Sequence, residues 1–303
     1  MKTRSRAFAA VDILYILMMI LPIAAAIVLR ILTRPFSEGI SITGAQIFFT
    51  IPMPLQDLPI TEAQINSVCV MIAILGLCLY MTHGLSEKAA TRRQLLCEWV
   101  VEKTESMVRG SMGEFFKGYA PFIAAILALS ALSSLLSLLG LNPPTSDINV
   151  VAGWAILVFI LITYYKLKGG FFNYLKGFTE PIFIMAPLNV LGEVATPVSM
   201  AFRHYGNVLS GSVIGVLIAT ALQGLSDIVL GWLPGVLGDI PFLQIGVPAI
   251  LSLYFDVFSG CMQAYIFAML TMLNISGAFP QEEYEKRKQK KLLRKNKKLK
   301  INN

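Results

Sequence analysis

Six apolar stretches separated by polar segments dominate the chain. They run from about Phe8 to Val28, Ile65 to Met81, Pro121 to Leu141, Val150 to Tyr165, Phe183 to Leu225 and Ile245 to Ile275. A membrane-crossing helix needs about 20 predominantly apolar residues, so each stretch predicts a span. The last two exceed that need, and they carry polar residues inside the apolar run. Such segments imply strongly tilted helices or broken pairs.

Between the second and third stretches the pattern changes period. From Gln94 to Phe116 the apolar residues Leu95, Leu96, Trp99, Val100, Met107, Val108, Met112 and Phe115 recur at helical spacing among Glu98, Glu102, Lys103, Glu105 and Arg109. That spacing predicts an amphipathic helix lying on a membrane surface, with a solvated loop helix as the alternative. The segment Ile31 to Glu62, with Pro35, Pro52, Pro54 and Pro59, reads as irregular. The first stretch follows Lys2, Arg4 and Arg6 and contains Ala24-Ala25-Ala26, so a cleavable secretory signal competes with an anchoring helix. Its length favours the anchor.

Composition agrees with an all-α polytopic membrane protein: 55% of the 303 residues are hydrophobic and only 14% are charged, where soluble domains carry roughly 25% charged residues. The formal charge of +7 suggests nucleic acid or lipid until it is located. Residues 281–303 hold ten Lys/Arg against Glu282, Glu283 and Glu285, so the tail accounts for the whole excess and the rest is neutral. No nucleic-acid partner is implied; membrane lipids are. Basic residues also orient the spans. A cytoplasmic amino terminus puts Lys88, Arg92, Arg93, Lys103, Arg109, Lys117, Lys166, Lys168 and Lys176 inside, leaves 142–149 and 226–244 outside without any Lys or Arg, and returns the tail to the cytoplasm. Three regions result: an anchor and outer loop (1–62), a membrane domain (63–278) and a basic tail (279–303).

Enzyme signatures are missing. There is no G-x-x-x-x-G-K-[ST] run, and only His83 and His204 are present, without H-E-x-x-H or a nucleophile elbow. Cys69, Cys78, Cys97 and Cys261 are too scattered for a disulfide framework or zinc motif. Neither a metal nor a cofactor is implied, and the chain reads as non-catalytic.

Ionisable residues inside the last two stretches carry the chemistry. An Arg at a helix centre costs about 2.5–3.5 kcal/mol on insertion scales, so it marks function by default. Arg203 has Ser199, Met200, Gly206 and Asn207 as its helical neighbours, none acidic. Its counter-charge must come from another helix or another chain. Ser199, Gly206 and Ser210 make the same face small, which suits close approach of a second helix. In the last stretch Ser252, Asp256, Ser259 and Gln263 fall at offsets 0, 4, 7 and 11, one face of an α-helix, and Asn274 extends it. Polar groups aligned at membrane depth imply water or an ion path, or else interhelical hydrogen bonds. Glu193, with Thr196 one turn on, is an ion-access carboxylate or a group snorkelling at the cytoplasmic end.

Three blocks carry a family resemblance: Pro144-Thr145-Ser146-Asp147-Ile148-Asn149 after Leu138-Leu139-Gly140-Leu141; Tyr174 to Pro181 continuing through Pro187 to Glu193 and Pro197-Val198-Ser199-Met200-Ala201-Phe202-Arg203-His204-Tyr205-Gly206-Asn207; and Gln263 to Thr271. The chain resembles subunit a of the F-type ATP synthase membrane sector, over about Pro121 to Ala278. That resemblance implies the static half of a rotary ion motor, with two long tilted helices against a ring of small c subunits, a b-subunit peripheral stalk beside it and the F1 sector coupled indirectly. It makes Arg203 the arginine that meets the ring carboxylate between two aqueous half-channels, with Asn207 and Gln263 beside it and Glu193 and Asp256 in the half-channels. Ser212 departs from an ionisable His or Glu common there, Asp256 from Glu or His, Asn274 from an aromatic and Ser137 from Asn. A stand-alone carrier using Arg203 to bind an anionic substrate is the competing class, although no repeated half is visible.

Overall fold

The computed structural model describes residues 2–33, 46–54, 57–86, 91–179, 183–230, 246–247, 250–251, 253–282, 284 and 289. Its helices are α1 (Lys2–Thr33), α2 (Glu62–Thr82), α3 (Arg92–Met112), α4 (Ala120–Leu135), α5 (Ile148–Lys168), α6 (Phe171–Thr179), α7 (Ala186–Leu230) and α8 (Gly260–Gly277). Among the described residues, six helical stretches are long and apolar enough to cross a membrane, at 8–33, 62–82, 114–139, 148–168, 183–229 and 253–277. The protein is an all-α, multi-pass membrane protein.

Each element starts where local chemistry permits. Thr61 precedes α2 in a capping box with Gln64, and Asp147 caps α5 by accepting from the Asn149 amide at 2.9 Å. These caps satisfy amide donors that a helix start leaves free. In α3, the Thr91 hydroxyl accepts from Gln94, and Gly113 ends the helix at φ 83°, a backbone angle that favours glycine. Only the second half of α3 is buried, through Thr104, Val108 and Met112, while Leu95, Leu96, Trp99 and Val101 stay exposed.

The expected irregular segment before α2 is partly ordered. Strands β1 (Ile47–Ile51) and β2 (Leu58–Thr61) form an antiparallel hairpin, with Thr50 opposite Pro59. The β-branched and aromatic run Ile47-Phe48-Phe49-Thr50-Ile51 favours a strand. A two-stranded sheet has only edge strands, where the missing Pro59 amide is tolerated. Pro35 lies outside the described residues.

Helices α3, α4, α5, α7 and α8 share the main core: Val108, Ile123, Val158, Met200, Phe267, Met272 and Ile275 pack in one cluster. Helix α1 packs on α2, where a Cβ added to Gly76 would lie 3.0 Å from the Met19 nitrogen and 3.1 Å from the Tyr15 oxygen. The two backbones therefore touch, as small residues permit in lipid. Asp12 closes one end of this pair by accepting from His83 at 2.8 Å and Arg93 at 3.1 Å. At the other end Glu62, on α2, accepts from Arg30 of α1 at 3.2 Å and from the Asn142 amide group at 2.6 Å.

The fifth stretch is one unbroken helix of 45 residues. At 1.5 Å per residue α7 is roughly 68 Å long, more than twice the ~30 Å hydrocarbon thickness. It must tilt strongly or project beyond the bilayer. Residues 226–230, read from sequence as outer loop, continue the helix; 231–244 lie outside the described residues. The sixth stretch is interrupted instead: a π-helical turn, Leu253–Ser259, leads directly into α8.

A candidate ion-path site on α7 and α8

Helix α7 divides sharply by face around Arg203. Met200, Ala201, His204 and Gly211 are buried, and a Cβ on Gly211 would sit 3.3 Å from Phe255. Arg203 is exposed beside Phe202, which is 58% exposed, and Ser199, Ser210 and Ser212 are exposed too. Among the described residues nothing forms a hydrogen bond or ion pair with the Arg203 guanidinium. A Cβ built on Gly206 would meet nothing within 4 Å. Among the described residues, the small face of Ser199, Gly206 and Ser210 is therefore not a packing seam; it is open.

Two of the exposed serines bond to their own helix. Ser210 donates to the Asn207 carbonyl at 3.1 Å and Ser212 to the Leu209 carbonyl at 2.8 Å. Such bonds to a carbonyl one turn back satisfy hydroxyls on a helix surface.

Polar residues of the two long stretches meet one turn from Arg203. The Ser259 hydroxyl donates to Asn207 Oδ1 at 2.9 Å, joining the end of the π turn to α7. Gln263 follows on α8, 6% exposed and without a hydrogen bond from the described residues. Asp256 is half-buried within the π turn. The predicted stripe is thus altered: a π turn closes i→i+5 bonds, so α-helical offsets do not carry across Leu253–Ser259. Asp256 and Gln263 are rotated further apart than the α-helical offsets imply. Ser252 lies outside the described residues.

Glu193 sits elsewhere, ten residues before Arg203 and about 15 Å along the helix axis. Its side chain is 7% exposed, paired with Lys166 of α5 at 3.1 Å and accepting from the Tyr174 hydroxyl of α6 at 3.1 Å. These three line a cavity of about 310 Å³ with Asn173, Asn189 and Pro280. Burial, and then the negative Glu193, push the Tyr174 phenol above its ordinary value. Tyr174 therefore stays protonated and able to donate at working pH. Sequence reasoning had Lys166 only as an orienting charge and did not single out Tyr174; neither pairing carries a local motif.

It also passed over His204 as anything but an unlikely catalytic base. The structure buries it completely, with Nε2 3.3 Å from the Ser130 hydroxyl. A lone histidine inside an apolar stretch was the available signal.

Comparison with known proteins decides the family. Residues 65–276 match the ATP synthase A chain family. The chain belongs to the ATP synthase A chain family. Among curated relatives, it is 27% identical over 276 residues to the sodium-ion-specific ATP synthase subunit a of Propionigenium modestum, covering 80% of this chain and 88% of that one. It is 31% identical over 219 residues to ATP synthase subunit a of Bacillus pumilus, covering 68% and 86%. With ATP synthase subunit a of Trichlorobacter lovleyi it shares 31% over 233 residues, covering 74% and 91%.

Proposed function

We propose that this A chain is the stator of the ATP synthase membrane motor, carrying H⁺ or Na⁺ to and from carboxylates of a c-subunit ring and coupling that flow to rotation and ATP synthesis. The observation that carries the reading is Arg203: an exposed cation, unpaired among the described residues, on an open small-residue face in a chain of this family. Such an Arg needs an external anion. A ring carboxylate passing it is favoured in its charged form, so its pKa falls and it releases its ion. Reloaded, the acid is neutral and can turn into lipid, where an ionised one is costly. Arg stays charged throughout, whereas a Lys out of water could lose its proton.

The two groups of polar residues then serve opposite sides. Glu193, with Lys166 and Tyr174, borders the cavity at the basic end; Asp256, Ser259, Asn207 and Gln263 serve the other approach. Lysine and arginine asymmetry supports a cytoplasmic position for that basic end, α3 and the carboxyl terminus, and the bacterial relatives support a bacterial plasma membrane. The exposed apolar residues of α3 suit a position at the membrane surface. Nucleotide chemistry belongs to the F1 sector, reached indirectly, and a b-subunit stalk holds this chain against the ring's torque. The stand-alone carrier finds no support in these relatives.

Arg203→Ala tests the reading. The complex should assemble at normal yield yet lose ATP synthesis and ATP-driven ion pumping in reconstituted vesicles. Normal pumping by that variant would sink the mechanism.

A further inference from the structure

His204 is the buried titratable group that the ion path leaves unused. It is 0% exposed, and three helices converge on its ring. Ser130 of α4 bonds Nε2 at 3.3 Å, Trp154 of α5 meets the ring edge-on with centroids 5.9 Å apart, and Phe267 of α8 does so at 5.4 Å and 89°. Nδ1 is buried without a hydrogen bond among the described residues. A buried polar atom left unmatched costs about 1–3 kcal/mol. An apolar side chain of similar volume would fill the pocket without that cost, so packing alone does not account for an imidazole here.

What distinguishes the imidazole is direction. Successive residues of an α-helix lie about 100° apart around its axis. Whatever fixes His204 inward therefore fixes Arg203 on the adjoining face. Nearer contacts are weaker rotational keys: Ala201 is small, Met200 is flexible, and a Cβ on Gly206 would meet nothing within 4 Å; the Ser259 bond to Asn207 holds α7 one turn further on. We propose that His204 is a positioning residue for Arg203, holding α7 at one rotation and depth through its hydrogen bond to Ser130. This rests on the reading of Arg203 as the cation that meets the ring.

The assembled ATP synthase in vesicles provides the test. A cysteine replacing the exposed Phe202 reports the facing of α7 through its disulfide cross-linking rate to a cysteine on the ring's outer helix. His204→Phe keeps an aromatic ring and drops the bond to Ser130. It should slow both ATP-driven pumping and cross-linking by about 2- to 10-fold, the range that a 0.5–1.5 kcal/mol hydrogen bond spans. His204→Gln, which can still bond Ser130, should recover both to within about twofold. Ser130→Ala should reproduce the loss and add nothing to His204→Phe, because one bond cannot be removed twice. Since Ser130→Ala removes a single oxygen, it remains informative if His204→Phe lowers assembly. Wild-type pumping and cross-linking in Ser130→Ala, no rescue by Gln, or full additivity of the two losses would each overturn the proposal. Arg203→Ala run in parallel separates the levels: if it still pumps, the reading of Arg203 has failed, whereas an inert Arg203→Ala beside an unaffected Ser130→Ala fails only the positioning role.

Discussion

Arg203 and His204 are neighbours with opposite surroundings: one exposed and unpaired among the described residues, the other sealed among Ser130, Trp154 and Phe267. Sequence alone singled out Arg203, because a cation without an acid on its own face is visible from helical offsets. It could not do the same for His204, whose partners come from three separate helices. Asp256 shows the opposite limit. Its residue type and predicted depth marked it as a candidate, but its alignment with Gln263 assumed 3.6 residues per turn, and the π turn shifts that alignment. At this scale Asp256→Asn, which removes the charge and keeps the shape, should slow passive ion transport and alter its pH profile in vesicles. Rates unchanged across pH would take Asp256 out of the path.

Under the proposed function, α7 works from the side where it lacks neighbours among the described residues. Two glycines show the contrast. Gly206 has open space where a Cβ would go, whereas a Cβ on Gly260 would come within 2.6 Å of the Ser134 Cβ. Gly260→Val should therefore strain the contact between α8 and α4, with overpacking of about 1–3 kcal/mol, and lower the amount of folded chain in the membrane. Gly206→Leu should change this chain's own stability by less than about 0.5 kcal/mol, yet stop ATP-driven pumping by blocking the ring. Immunoblots of membranes alongside pumping assays separate the two outcomes. The reverse pattern would mean that Gly206 faces this chain's own interior. Helix positions were legible from hydropathy, usually to within a few residues, because lipid demands internally satisfied backbone. The hairpin Ile47–Ile51 with Leu58–Thr61 was not, since its prolines outweighed a short strand signal.

The whole molecule has one strongly basic end. Phe279 stacks on Phe115 with centroids 4.5 Å apart, and Tyr284 contacts both rings, so the chain stays packed just past the last span. Lys168 lies over Tyr165 at 4.4 Å in the same region. Aromatic rings with lysine are typical of a membrane boundary. The tail that follows carries the molecule's entire net charge, suited to anionic headgroups or simply to solvent. Deleting Lys286 to Asn303 leaves this aromatic clamp in place and should leave ATP-driven pumping at its full rate. A large loss of pumping would assign the tail a part in coupling.

Sequence by itself determined the spans, their basic asymmetry and the residue types that must carry charge through lipid. These follow from local terms: the free energy of moving each side chain into hydrocarbon, and the periodicity of a helix. Only the tertiary structure decided which polar groups meet. It paired Glu193 with Lys166 and Tyr174, tied Ser259 to Asn207 and buried His204 against Ser130. Those contacts join residues 19 to 74 positions apart, and no local preference specifies them. They arise when tilted helices pack in three dimensions, which is also what leaves Arg203 facing outward.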